Sequence, residues 1–276
     1  TGGGSRALTL NKDISPSPIP SLPTNGFAPA ISVRNAHLAY DDSLLFKGLS
    51  LDLAAKEWTC LLGPSGVGKT SLLRLIAGLA SQAEADISTS DNIPLEGRVS
   101  YMAQQDLLLP WLSVLNNVTL GARFRGTSPN RKAALALLQA VGLAGWEEAL
   151  PHQLSGGMRQ RVALARTLME GRPIVLMDEP FESVDTVTRV ELQTLAANLL
   201  QDSTVFLVTH DPFEALRLAR KILILKGRPA QLDAFYVKGQ PPRKVDDPEI
   251  THQHALLLHR LSQGRTVLQD QRRSPP

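Results

Sequence analysis

Several things are scarce in this chain, and each scarcity excludes a class of protein. There is one cysteine, Cys60, in 276 residues. No internal disulfide can form, and the usage fits a reducing compartment. No apolar run approaches the roughly 18–20 residues that a membrane-spanning helix needs. The N-terminus lacks a continuous apolar core of the signal-peptide kind. A soluble or peripheral protein is therefore expected, with any membrane role reached through a partner. Internal repeats are missing. So are Lys/Arg blocks and interleaved basic and aromatic residues, and a net charge of +3 reads as a solvated surface rather than a nucleic-acid face.

What is present suffices for a globular core: 43% of residues are hydrophobic. Residues 1–29 are rich in Gly, Ser and Pro and are expected to be a disordered leader. Ile31, Val33, Ala36 and Leu38 predict a strand ending at Tyr40, in an edge hairpin with Leu49, Leu51 and Leu53. Trp58 to Leu62 reads as a short buried strand leading to a helix from Ser71. Ser81 to Pro94 reads as a polar connector, and Arg98 to Ala103 as a strand. Ser128 and Pro129 predict the cap and first residue of a helix running to about Val141. Further helices are expected over Met158–Glu170, Val187–Leu200 and Pro212–Arg220. Ile174 to Met177 and Val205 to Val208 have the unbroken apolar character of central parallel strands. Lys221 to Val237 predicts two closing strands, and Asp247 to Leu261 a short helix. Alternating strands and helices indicate an α/β layered sheet. The helical block at about 104–161 interrupts it as an inserted subdomain. The expected organisation is a domain over 30–240 and a tail over 241–276.

The stretch between the third strand and its helix reads Gly63-Pro64-Ser65-Gly66-Val67-Gly68-Lys69-Thr70-Ser71. Gly-x-x-x-x-Gly-Lys-Thr is a phosphate-binding loop. Its glycines let backbone N–H groups turn inward at the positive end of a helix. Lys69 is expected to reach the β- and γ-phosphates, and Thr70 to offer its hydroxyl to Mg²⁺. Such a site needs a carboxylate at a neighbouring strand's end. Asp178 fits as the Mg²⁺ residue, and Glu179 as the group that orients or deprotonates the attacking water. His210 follows a parallel strand in the same way and is expected near the γ-phosphate. Ser155, Gly156 and Gly157 open a second helix with the same anion-binding logic, which suggests service to a neighbouring subunit.

These motifs, in this order and spacing, resemble the ATP-binding cassette (ABC) ATPases over about Ile31 to Lys238. The resemblance implies a P-loop NTPase core with an antiparallel β edge and an inserted helical subdomain, using ATP and Mg²⁺. It also implies an adenine-stacking aromatic at Tyr40. A catalytic, metal-contacting glutamine falls at Gln104, with Gln105 as its neighbour. The loop after Asp178-Glu179 commonly reads Ser-Ala-Leu-Asp in the family. Here it reads Glu182-Ser183-Val184-Asp185, with Asp185 retained as a nucleotide-site residue.

Asp106 to Val114 looks like the importers for nitrate, sulfonates, taurine and thiamine-precursor pyrimidines, with a slight lean to the hydroxymethylpyrimidine branch. The implied protein is a homodimeric ATPase subunit on the cytoplasmic face of a bacterial inner membrane. Its implied partners are permease subunits and, indirectly, a periplasmic solute-binding protein. A soluble ABC ATPase acting on nucleic acid or ribosomes is the alternative. It is disfavoured by the roughly fifty residues between Gln104 and Ser155 and by the single cassette.

Overall fold

Three five-residue runs, Trp58–Leu62, Ile174–Asp178 and Thr204–Val208, are buried at every position. Strand side chains alternate between faces, so a run buried throughout needs cover on both sides. The computed structural model supplies it. It describes residues 26–40 and 43–271, the side chains of Tyr40, Ser43 and residues 263–271 excepted. The first 25 residues of the expected leader and the end Arg272–Pro276 lie outside the described residues.

In chain order the elements are β1 (Ile31–Tyr40), β2 (Ser43–Leu53), β3 (Trp58–Leu62), α1 (Lys69–Ile76), β4 (Glu84–Thr89), β5 (Val99–Met102), α2 (Val114–Val118), α3 (Leu120–Phe124), α4 (Arg131–Ala140), α5 (Gly156–Met169), β6 (Ile174–Asp178), α6 (Thr186–Leu199), β7 (Thr204–Val208), α7 (Pro212–Leu218), β8 (Lys221–Lys226), β9 (Gln231–Tyr236) and α8 (Pro248–Gln271). Six strands form the main sheet in the order β5-β6-β7-β3-β8-β9. The first five are parallel, and β9 pairs antiparallel with β8.

Alternate residues of its strands enter two cores. Cys60, Leu62, Val175, Met177, Val205 and Leu207 join one with residues of α5 and α7. Leu61, Ile174, Leu176, Phe206 and Val208 join the other with α1, β1 and β2. Each such side chain contributes about 1.5–3 kcal/mol on burial. Cys60 is fully buried, and burial drives its thiol well above the ordinary range, so it acts as a small apolar residue.

Four expectations change in detail. The hairpin forms, with Ile31 opposite Leu53 and Val33 opposite Leu51. However, β1 is the centre of a separate three-stranded antiparallel sheet, β2-β1-β4, rather than an edge. The polar connector contains β4, because Ala85, Ile87 and Thr89 turn inward while β1 supplies the pairing. The helix expected from Ser128 starts at Arg131, since Asn130 accepts from the Ala133 N–H at 3.0 Å and is the cap. The last helix runs on to Gln271, with Ile250 and Leu257 fully buried in the main core. Among the described residues no helix is long and apolar enough to cross a membrane.

Candidate functional site

The carboxyl ends of β3 and β6 and the β8–β9 turn meet at a cleft of about 510 Å³. This is the crevice where open α/β sheets bind ligands. Ser65, Gly66, Gly68, Lys69, Thr70 and Ser71 line it together with Gln104, Glu179, Leu45 and Arg228. A larger groove of about 870 Å³ lies between the end of α1, β4 and the 92–97 loop. Its ionisable lining residues are only Glu96 and Tyr101, so it lacks the converging charges of the smaller cleft.

Close packing fixes the loop. A Cβ at Gly63 would land on the Leu225 carbonyl oxygen, and one at Gly68 would lie 2.8 Å from Leu45. Gly68 also has φ 107°, a left-handed backbone that glycine adopts without strain. It begins α1 without a side-chain cap, which leaves first-turn N–H groups for an anion. The Val67 side chain is buried in the core and holds the loop from below. Lys69 Nζ donates to the carbonyls of Gly63 at 2.9 Å and Pro64 at 3.0 Å. Burial lowers its pKa, while Glu179 and Asp178 oppose that shift.

Asp178 ends β6 and is 1% exposed. Burial raises its pKa, against a hydrogen bond from Thr70 that lowers it. Its Oδ2 is buried with no hydrogen-bond partner among the described residues. An unpartnered buried carboxylate oxygen beside a hydroxyl is the donor set a hard divalent cation takes.

Glu179 turns the chain sharply at φ 50°, held by its N–H donating to Val208 at 2.9 Å. His210 Nδ1 lies 2.5 Å from Glu179 Oε2, and as an ionised carboxylate only accepts, the imidazole donates. Gln104 Nε2 donates to Glu182 Oε2 at 3.1 Å.

The helix start at Ser155 sits elsewhere. Ser155 Oγ caps α5 by accepting from Met158 N–H at 3.2 Å, and none of Ser155, Gly156 and Gly157 lines the cleft. Gly157 packs against Ser183, where a Cβ would lie 2.9 Å from the carbonyl oxygen. Asp185 caps α6 through Thr188 N–H, and that contact lowers its pKa. Two chain-internal ties run from this half, one to the cleft residue Glu179 and one to Asp106, two residues past Gln104. Gln160 Nε2 donates to the Glu179 carbonyl at 3.4 Å, and Arg159 Nε donates to Asp106 at 3.0 Å. The ring of Tyr40 lies outside the described residues. Arg228, which donates to the Gly66 carbonyl at 2.9 Å, carries no sequence signal and reaches the cleft only through the β8–β9 turn.

A cleft of this kind can hold a polyphosphate on backbone N–H groups, neutralise it with Lys69, and present a carboxylate to water. Comparison with known proteins agrees. A family model described as ABC transporter matches residues 46–182. The chain is 37% identical over 240 residues to the aliphatic sulfonates import ATP-binding protein SsuB 1 of Pseudomonas syringae, covering 86% of this chain and 98% of that protein. It is 37% identical over 254 residues to the taurine import ATP-binding protein TauB of Yersinia pseudotuberculosis, covering 86% and 99%. Among solved structures, the dimeric ATP-binding cassette MJ0796 bound to ADP and Pi superposes with a TM-score of 0.67 at 29% identity, covering 76% of this chain and all of that one.

Proposed function

This chain belongs to the ABC transporter family of ATP-binding proteins, which hydrolyse ATP to drive transport, and we propose that it energises a bacterial importer of small sulfonate- or taurine-type solutes. The observation that carries the site assignment is the convergence of Lys69, Thr70, Gln104 and Glu179 on one cleft.

The roles follow from the chemistry of each group. The loop from Gly63 to Ser71 takes the triphosphate, with Lys69 on its β- and γ-oxygens. Asp178, Thr70 and Gln104 would hold Mg²⁺, and the unpartnered Asp178 Oδ2 fits that need. When bound, the ion neutralises charge on the β- and γ-phosphates. Glu179 takes the role of base for the attacking water, its carboxylate held by His210.

Ser155 to Gly157 supply the second clasp of an ATP lying on a partner copy. Their separation from the cleft and the dimeric relative support this reading. Leu107 is 58% and Trp111 71% exposed, which supports a docking face for a permease helix rather than subdomain core. The named relatives that import sulfonates and taurine support that solute class over a pyrimidine.

Solute uptake tests the reading. Cells lacking this chain are compared with cells carrying it or its Glu179→Gln form, using labelled sulfonate, taurine, nitrate and hydroxymethylpyrimidine. Sulfonate or taurine uptake should be lost and restored by the parent form only. Restoration of pyrimidine or nitrate uptake instead would reassign the solute, and unchanged uptake of all four would refute the importer role.

A further inference from the structure

We propose that Glu182 positions Gln104, turning its amide so that the oxygen, and not the nitrogen, is available to the nucleotide-bound cation. The inference rests on the reading of Gln104 as a metal-contacting residue.

A glutamine amide has two ends of nearly equal shape, one a donor and one an acceptor. Steric fit in an open cleft therefore does not choose between them, yet only the oxygen can ligate Mg²⁺. Glu182 makes the choice electrostatically. Gln104 Nε2 donates to its Oε2 at 3.1 Å, across 78 positions of sequence. An ionised carboxylate offers lone pairs and no proton, so the NH₂ end must face it. Oε1 then lies on the other side of an amide that lines the phosphate cleft. A serine, the residue common in the family at this position, both donates and accepts, and would tolerate either orientation.

The backbone that carries this carboxylate is also held in place. Glu182 N–H donates to the Glu179 carbonyl at 3.3 Å, closing a turn immediately after β6. The neighbouring Phe181 is 1% exposed and anchors that turn. Arg189 spans it from the far side, donating to the carbonyls of Glu182 at 3.4 Å and Val184 at 2.9 Å. Gln104 is thus tied to the turn that carries Glu179. Partners that orient a metal-contacting group typically change metal affinity by 10–100-fold when removed. An exposed partner belongs at the lower end.

The test measures Mn²⁺ binding by electron paramagnetic resonance in the presence of a non-hydrolysable ATP analogue. The parent is compared with Glu182→Ser, Gln104→Ala and the double variant. Each single change should weaken Mn²⁺ by about 10-fold. The double should be no weaker than Gln104→Ala alone, and metal-free analogue binding by Glu182→Ser should stay at the parent level. Full Mn²⁺ affinity in Glu182→Ser, losses that multiply in the double, or loss of metal-free binding in Glu182→Ser would each overturn the positioning role while leaving the Gln104 contact intact. Full Mn²⁺ affinity in Gln104→Ala would remove that contact, and the inference with it.

Discussion

His210 Nδ1 and Glu179 Oε2 meet at 2.5 Å, joining the ends of two neighbouring parallel strands. The contact fixes one carboxylate oxygen of a residue whose backbone sits at φ 50°. That conformation costs a residue with a Cβ about 1–2 kcal/mol. Glu179→Gln keeps the shape and removes the basic oxygen. Nucleotide affinity should stay near the parent value while turnover falls by about 10²-fold or more. Fluorescent-nucleotide binding and phosphate release measure the two, and near-parent turnover would remove Glu179 from the water-activating role.

The separation of Ser155–Gly157 from the cleft leads to a complementation experiment. Lys69→Ala should abolish the loop half of a site, and Ser155→Arg the half supplied by Ser155 to Gly157. A two-fold pair of either variant has no intact site, whereas a mixed pair has one. Mixing the two inactive proteins should restore measurable ATP hydrolysis. ATP-dependent dimerisation of Glu179→Gln, followed by sedimentation, is the companion measurement. Failure of both would leave no support for a shared site.

Arg228 ties the β8–β9 turn to the phosphate loop through the Gly66 carbonyl. Arg228→Ala loses that contact and a positive charge on the cleft. We expect a several-fold rise in the KM for ATP, corresponding to about 1 kcal/mol, with little change in kcat. A parent-like KM would show that the loop is set by its own packing.

Glu214 on α7 is buried, accepting from the Thr209 hydroxyl and from Gln193 Nε2 at 2.9 Å. Burial pushes its pKa up to about 7. In the folded chain it keeps a proton that the unfolded chain releases near 4.5. Stability therefore falls as pH rises between those values and levels off above 7. Relative to Glu214→Gln, the parent should lose about 2 kcal/mol between pH 5.5 and 8. Urea unfolding of both proteins at each pH gives the difference, and any constant packing offset cancels. Parallel pH profiles would falsify the assignment.

Arg243, 3% exposed, donates to the carbonyls of Leu216, Ala219, Val237, Lys238 and Gly239. It joins the end of α7 to the segment leading to α8. Arg243→Leu leaves those carbonyls without their donor and should cost about 3 kcal/mol or more. The urea midpoint reads this directly, and an unchanged midpoint would mean that water replaces the guanidinium.

The elements legible in the sequence are those specified by near neighbours. Buried strands such as β6 declare themselves because both faces are covered, so Ile174 to Met177 are apolar without a break. The Ser155 cap and the Gly63–Thr70 loop are local chemistry, written in consecutive residues. By contrast, β4 alternates weakly with one strong apolar residue, Ile87, and becomes a strand only because β1 offers its hydrogen-bonding edge. The cap at Asn130 prevails over Ser128 through side-chain geometry that spacing alone does not resolve.

The sequence by itself determined the chemistry on offer: a loop for phosphates, Asp178 and Glu179 at a strand's end, and a second helix start at Ser155. The strand order of the sheet is a long-range property, and it alone decided which of these groups meet. It brought Glu179, His210 and Gln104 to one end of the fold, kept the Ser155 turn off the cleft, and set Arg228 and Glu182 beside partners 162 and 78 positions away. The pairings of Arg228 with Gly66 and Glu182 with Gln104 pass through folded backbone rather than through neighbouring residues, so local patterning carries no trace of them.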